Sequence, residues 1–126
     1  MDKKAIETDK APKAIGPYSQ AVKYGDMLFC SGQIGMDPES GELVSGGVEA
    51  QAEQIFKNVQ AVLNEAGMDF NNILKATIYI TSMHDFAAVN NVYSKYFTKP
   101  FPARAAVEVS GLPKDALIEM EVIAGS

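Results

Sequence analysis

The clearest pattern in the sequence is a helical one over Val48–Ala66. Apolar residues recur there every three or four positions and form a single stripe, made of Val48, Ala52, Ile55, Phe56, Val59, Val62, Leu63 and Ala66. Polar side chains occupy the opposite face. Gly67 follows at the position where a left-handed residue commonly ends a helix. The spacing therefore predicts an amphipathic helix that buries one face.

Short strand patterns lie on both sides of this helix. Ala21–Tyr24 and Met27–Ser31 are separated by Gly25-Asp26, a two-residue signal typical of a β-hairpin. Met36–Gly47 is rich in turn-forming residues and is expected to be a connection. Ile73–Thr81 alternates in polarity and is rich in β-branched and aromatic residues, so it is predicted to be a strand.

A second helix is predicted between Ser82 and about Phe97. Ser82 followed by Asp85 resembles a capping box, and Pro100 and Pro102 end the helical stretch. The expected inner face consists of Phe86, Val89, Tyr93 and Tyr96. The order of strands, helix, strand, helix and strands favours an α+β fold, with one mixed sheet and two helices packed on the same face.

The last two predicted strands, Arg104–Val109 and Leu117–Ala124, are expected to pair as an antiparallel hairpin. The register is chosen so that the apolar side chains of both strands lie under the helices. It pairs Ala105 with Met120 and Val107 with Ile118 on that face, and Arg104 with Glu121 and Ala106 with Glu119 on the other.

The face away from the core then carries charged groups, and two interpretations stay open. In the first, Arg104 and the glutamates form a solvated ion pair of little energetic consequence. In the second, the apolar neighbours Leu117 and Ile123 meet another subunit, and Arg104 and Glu119 line a cleft. A guanidinium donates two parallel hydrogen bonds to a carboxylate, and a nearby carboxylate orients water or accepts a proton.

Composition narrows the class of protein. The 126 residues, 47% hydrophobic and 21% charged, fit a single folded domain over residues 1–126. Sixteen acidic and eleven basic residues give a net charge of −5, which disfavours a nucleic-acid partner. No apolar run is long enough for a membrane span, and the opening residues 1–13 lack the apolar region of a signal peptide, so the expected compartment is the cytoplasm.

The single residues with reactive side chains give little indication of function. Cys30 and His84 are each the only residue of their type, so neither an intramolecular disulfide nor a cysteine–histidine metal site is expected. Cys30 is interpreted as a small buried side chain, and His84 as an exposed or capping residue. The sequence contains no phosphate-binding loop and no dinucleotide motif.

Five segments together resemble the RidA/YjgF family of reactive intermediate/imine deaminases, also labelled endoribonuclease L-PSP. They are IGPYSQAV (Ile15–Val22), FCSGQIG (Phe29–Gly35), the helix with Gln51, Asn58 and Gly67, FAAVNNVY (Phe86–Tyr93), and FPARAAVEVSGLPKDALIEMEVIA (Phe101–Ala124). The resemblance covers nearly the whole chain. It implies a chorismate-mutase-like fold assembled as a homotrimer, with a central barrel, the helices outside and pockets between subunits.

The resemblance also implies a cofactor-independent activity. Imine deaminases hydrolyse 2-aminoacrylate/2-iminopropanoate and 2-iminobutanoate to 2-oxo acids and ammonia. On this basis Arg104 binds the substrate carboxylate, and Glu119 positions the attacking water. The family positions around the pocket correspond to Tyr18, Ser31, Gly32, Asn90 and Ala106. Many family members have cysteine where Ala106 stands, so thiol chemistry is not expected there.

Two other functions remain as alternatives. The older family label suggests a single-strand endoribonuclease that inhibits translation, but the acidic net charge and the lack of a histidine pair disfavour it. A non-catalytic trimer that captures small carboxylates is the second alternative. Retention of Arg104 together with failure to turn over iminopropanoate would favour that binder.

Overall fold

A computed structural model describes residues 2–126, and this part of the chain forms one mixed β-sheet covered by two α-helices. The strands are β1 (Lys4–Ile6), β2 (Ala21–Tyr24), β3 (Met27–Cys30), β4 (Gln33–Ile34), β5 (Ile73–Ile80), β6 (Ala103–Glu108) and β7 (Ile118–Gly125). The helices are α1 (Gly47–Glu65) and α2 (Phe86–Tyr93). Short 3₁₀ turns occur at Phe70–Asn72, Met83–Asp85 and Pro113–Asp115.

The strands follow the order β1-β2-β3-β7-β5-β6, and β4 also pairs with β7. Every pairing is antiparallel except that of β5 with β6, which run parallel. Helix α2 forms the crossover between these two parallel strands, as a parallel connection requires. Strand β6 therefore lies at one edge of the sheet, and β7 lies in the interior.

Both helices pack on the same face of the sheet, as predicted. The stripe of α1 is buried through Ile55, Val59 and Leu63, and Val89 and Val92 of α2 join it. The sheet contributes residues at every second position of β5 and β7, namely Ala76, Ile78, Ile80, Ile118, Met120, Val122 and Ala124. This core confirms the α+β architecture and the predicted inward face of the last strand.

The predicted hairpin between the last two strands is wrong. Strand β5 lies between them, so β6 pairs in parallel with β5, and β7 pairs with the other side of β5. The inward face of β6 is also the reverse of the prediction. Ala106, opposite Ile78, packs against the core, whereas Val107 is 43% exposed on the other face.

The second helix is shorter than predicted. Helix α2 ends at Tyr93 rather than near Phe97, and residues beyond it continue as hydrogen-bonded turns. The predicted capping box is also wrong. The Ser82 hydroxyl accepts a hydrogen bond from the His84 backbone N–H and caps the preceding 3₁₀ turn, not α2 itself.

Other local predictions agree with the structure. Gly25, with a φ of 60°, forms the two-residue turn between β2 and β3. Gly67, with a φ of 75°, follows α1 in the left-handed conformation that an L side chain disfavours. The sequence reading missed β1 and β4, which are only three and two residues long.

The face of the sheet opposite the helices is uncovered by residues 2–126. We call it the open face. It presents Phe29 and Val107, which are 47% and 43% exposed, beside the polar side chains of Tyr79 and Glu121. Within residues 2–126, no helix has the length and apolar character needed to cross a membrane.

Candidate active site

The side chain of Arg104 is held by three residues of helix α2. Its Nη1 donates a 2.6 Å hydrogen bond to Asn90 Oδ1. Its Cζ lies 4.8 Å from the ring centre of Tyr93 and 5.3 Å from that of Phe86, which are cation–π distances. We refer to Arg104, Asn90, Phe86 and Tyr93 as the arginine cluster.

The arginine cluster forms because Phe86, Asn90 and Tyr93 share one face of α2. Their spacing of four and three residues places the three side chains above one another. Arg104 lies beside them because it shares the helix-facing side of edge strand β6, where its register partner is Ala76. At the edge of the sheet the guanidinium is exposed. Within residues 2–126 no acceptor engages its Nε or Nη2.

Glu119 lies in a different place, at a cavity of about 380 Å³ lined also by Gly32, Tyr18, Lys13 and Lys114. We refer to this as the glutamate cavity. A Cβ added to Gly32 would lie 2.9 Å from Glu119 Cδ, closer than unbonded carbons approach. The absence of a side chain at Gly32 thus makes room for the carboxylate.

Two features of the environment raise the pKa of the Glu119 carboxyl above its ordinary value. Burial is the larger cause, and the negative charge of Glu121 on the same strand is the second. Tyr79, the register partner of Glu119, donates a 2.8 Å hydrogen bond to Glu121 Oε1. A carboxyl with a raised pKa is better suited to exchange protons near neutral pH than an ordinary one.

The loop that carries Tyr18 into the glutamate cavity is fastened by buried polar groups. The amide of Gln20, a side chain only 4% exposed, accepts from Thr8 N–H at 2.7 Å and donates to Thr8 O at 3.0 Å and Pro12 O at 2.8 Å. Ser31 Oγ donates to Ser19 O at 2.6 Å. These bonds fix the segment on both sides of Tyr18.

The seven residues predicted for the site fall into two groups in one chain. Tyr18, Gly32 and Glu119 line the glutamate cavity, and Ser31 supports its loop. Arg104 and Asn90 belong to the arginine cluster, with Ala106 two residues along β6.

The expectation that Arg104 and Glu119 share one face of one hairpin is therefore wrong. Arg104 points to the helix side of the sheet, because it pairs with the buried Ala76. Glu119 lies between the buried Ile118 and Met120, so its side chain is on the open face. Because the two groups lie on opposite sides of the sheet, a single chain does not bring them together.

The remaining reactive groups are placed as expected. Cys30 is buried, and burial raises the pKa of its thiol to about 12, which keeps it protonated and unreactive. His84 is exposed at the turn before α2. Among residues 2–126, no three His, Cys, Asp or Glu side chains converge as a metal site would require.

Sequence reasoning missed four residues of the two groups. Phe86 and Tyr93 were expected only as core residues of α2, although their spacing with Asn90 already indicated one common face. Lys13 and Lys114 line the glutamate cavity from two loops distant in sequence. No periodicity in the sequence indicates that those loops meet.

Comparison with known proteins identifies the family. The family model described as endoribonuclease L-PSP matches residues 8–126. The human protein named 2-iminobutanoate/2-iminopropanoate deaminase is 52% identical over 97% of this chain and 89% of its own. The chain belongs to the endoribonuclease L-PSP family, also called RidA/YjgF.

Solved RidA structures have the same fold. RidA from an Antarctic Psychrobacter superposes with a TM-score of 0.94 at 46% identity, covering 98% of this chain and 99% of that one. The structure of Escherichia coli TdcF with bound serine gives a TM-score of 0.92 at 44% identity, covering 98% of each chain. The mixed sheet with two helices on one face is thus the RidA fold, and the resemblance noted in the sequence is confirmed.

Proposed function

We propose that this protein is an imine deaminase that hydrolyses 2-aminoacrylate/2-iminopropanoate and 2-iminobutanoate to 2-oxo acids and ammonia. The observation that carries the proposal is Arg104, an arginine held in place by α2 with Nε and Nη2 unengaged within residues 2–126. The name of the human relative, 52% identical, supports the same reaction.

Arg104 is the proposed carboxylate-binding group. Asn90 accepts one of the two Nη1 hydrogens, and on the other edge of the guanidinium the Nε–H and one Nη2–H form a parallel pair that matches both oxygens of a carboxylate. The bound serine of TdcF carries such a carboxylate. A net charge of −5 disfavours a long phosphate backbone as ligand, so the ribonuclease activity in the family description is not proposed.

Glu119 is the proposed general base. It accepts a proton from water as the water oxygen bonds to C2 of the imine, which gives a tetrahedral carbinolamine. That proton passes to the nitrogen, and the hydroxyl proton follows it as the C2–N bond breaks, so that ammonia leaves and the carbonyl forms. Water supplies the oxygen and two hydrogens, so no oxidant, reductant or cofactor is required. Holding the reactants in place lowers the barrier, because a bimolecular step becomes effectively unimolecular.

Joining the two groups requires a second copy of the chain. We infer a homotrimer in which the arginine cluster of one subunit faces the glutamate cavity of the next. The exposed apolar side chains Phe29 and Val107 on the open face support its burial by other copies. Sedimentation equilibrium is expected to give three times 13.6 kDa, and a monomer at the assay concentration would contradict the assembly.

The activity is tested by coupling a serine or threonine dehydratase to semicarbazide, which traps the released imine. Adding the wild-type protein is expected to lower the trapped fraction and speed 2-oxo acid formation. Arg104→Ala and Glu119→Gln are expected to lose nearly all of this effect. The matched control is Glu49→Gln on the exposed face of α1. Full activity in Arg104→Ala would refute the proposed site.

A mixing experiment tests whether each site is shared between subunits. Arg104→Ala and Glu119→Gln chains are inactive alone, but mixed trimers contain some interfaces with both intact groups. Random equal mixing is expected to restore about a quarter of wild-type activity. The shared site would be contradicted if mass spectrometry shows that subunits have exchanged but activity is not recovered. Both groups would then act within one subunit, or one of them would not belong to the site.

A further inference from the structure

We propose that Tyr93 and Phe86 are positioning residues that fix the plane of the Arg104 guanidinium before a ligand arrives. The inference rests on the proposed function, because it deepens the role of Arg104 as the carboxylate-binding group. It adds the aromatic pair to the site and assigns substrate affinity partly to residues that do not touch the substrate.

The need for such positioning follows from the place of Arg104 in the fold. Arginine has a long flexible side chain, and edge strand β6 leaves this one exposed on its outer side. Ordering a free arginine upon binding lowers affinity, since its conformational entropy is lost. A guanidinium that is already ordered avoids much of this loss.

Three contacts order the guanidinium in this chain. The Asn90 bond fixes the Nη1 end but leaves rotation about that bond open. The rings of Tyr93 and Phe86, at 4.8 and 5.3 Å from Cζ, restrict that rotation. Together the three contacts fix the direction of the Nε–Nη2 edge. Bidentate binding of a planar carboxylate requires this fixed direction, and a single hydrogen bond does not provide it.

The Tyr93 ring, rather than its hydroxyl, is the part that acts on Arg104. The hydroxyl is buried and has no hydrogen-bond partner within residues 2–126. The ring itself is anchored by Phe97, at 4.6 Å between centres, and by Phe56 at 6.0 Å. The Tyr93 ring is thus held in a fixed position, and the guanidinium packs against it.

The test compares Tyr93→Leu with Tyr93→Phe. Losing the ring is expected to raise KM and the Kd for 2-oxobutanoate about tenfold while kcat changes less, the size of one cation–π contact. Tyr93→Phe is expected to retain most of the affinity because it keeps the ring. Phe70→Leu removes a ring that pairs with Phe56, Tyr96 and Phe97 rather than with Tyr93, so it serves as the matched control for altered packing.

A double-mutant cycle tests whether Tyr93 changes the Kd through Arg104. If Tyr93 acts through the guanidinium plane, Tyr93→Leu should change the Kd little in an Arg104→Lys background, because lysine has no plane to fix. An equal tenfold change in both backgrounds would overturn the proposal. So would a wild-type Kd in Tyr93→Leu, or an equally raised Kd in Phe70→Leu.

The two proposals fail separately. The Kd for 2-oxobutanoate is measured by titration calorimetry and does not depend on turnover. If the wild-type protein does not accelerate imine hydrolysis, the proposed function fails whatever the Tyr93 variants bind. If it does and the Kd is insensitive to the Tyr93 ring, only the positioning role fails.

Discussion

Replacing Gly32 with alanine tests the glutamate cavity with a single methyl group. In the wild-type structure a Cβ at this position would lie 2.9 Å from Glu119 Cδ and closer still to Oε2. The backbone of Gly32 is not among the positive-φ glycines, so alanine itself is tolerated there. The perturbation therefore acts on the carboxylate of Glu119.

The size of the displacement follows from the contact distance. Carbon atoms without a bond between them stay about 3.5–4.0 Å apart, so the Glu119 carboxyl must move by about 1 Å. A misplacement of about 1 Å at a catalytic group lowers the rate by about a hundredfold. The cost in stability is expected to be small, because the far end of the Glu119 side chain moves and the backbone does not.

Two other glycines provide matched comparisons. Gly111→Ala places its methyl group in open space and is expected to leave kcat and Tm unchanged. Gly35→Ala brings Cβ within 2.6 Å of Gln51 Cα in helix α1, so it is expected to lower Tm sharply. The three variants separate a displaced carboxylate from a neutral substitution and from a damaged fold.

The assay is the semicarbazide-coupled rate together with thermal unfolding. A Gly32→Ala protein with wild-type Tm and a kcat about a hundredfold lower is the expected result. A wild-type kcat would refute the reasoning, since the carboxylate would then be displaced without effect.

Three further predictions concern stability. Gln20→Leu removes the hydrogen bonds to Thr8 and Pro12, and urea titration is expected to show a free energy of unfolding lower by about 2–4 kcal/mol. A decrease below about 0.5 kcal/mol would contradict the role of these bonds in fixing the loop. Glu119→Gln is expected to raise Tm at pH 7. The pKa of Glu119 is raised in the folded protein, so ionisation of the carboxyl lowers stability as the pH rises above 4.5. Below pH 4.5 the wild-type and variant proteins should have the same Tm. Lys114→Gly is expected to stabilise the chain by about 1 kcal/mol in denaturant titrations, since Lys114 has a φ of 56°; unchanged stability would show that the turn is not strained.

The sequence predicts those parts of the fold that local patterns determine. The α1 stripe, the Gly25 turn and the inward face of β7 follow from periodicity and turn chemistry. Local patterns do not determine which strands are neighbours in the sheet. Strand β6 alternates equally well beside β5 or β7, and the apolar Ala105 and Val107 suggested the wrong inward face.

The order of elements along the chain favours the observed pairing of β5 with β6. A strand, a helix and a strand in succession favour a parallel crossover, and β5, α2 and β6 form one. A parallel crossover places β6 beside β5 and therefore brings Arg104 next to α2. The identities of Arg104 and Glu119 came from the family motif, whereas their relative placement required the topology.

The topology also explains why Val107 misled the prediction. An apolar residue on an edge strand is normally read as facing the core of its own chain. In this protein the helix-facing positions of β6 hold Arg104 and Ala106, so the apolar positions are turned to the open face. This exchange fits the proposed assembly. The helix-facing side of this edge strand carries the arginine proposed to bind the carboxylate, and its other side is left for contact with another copy.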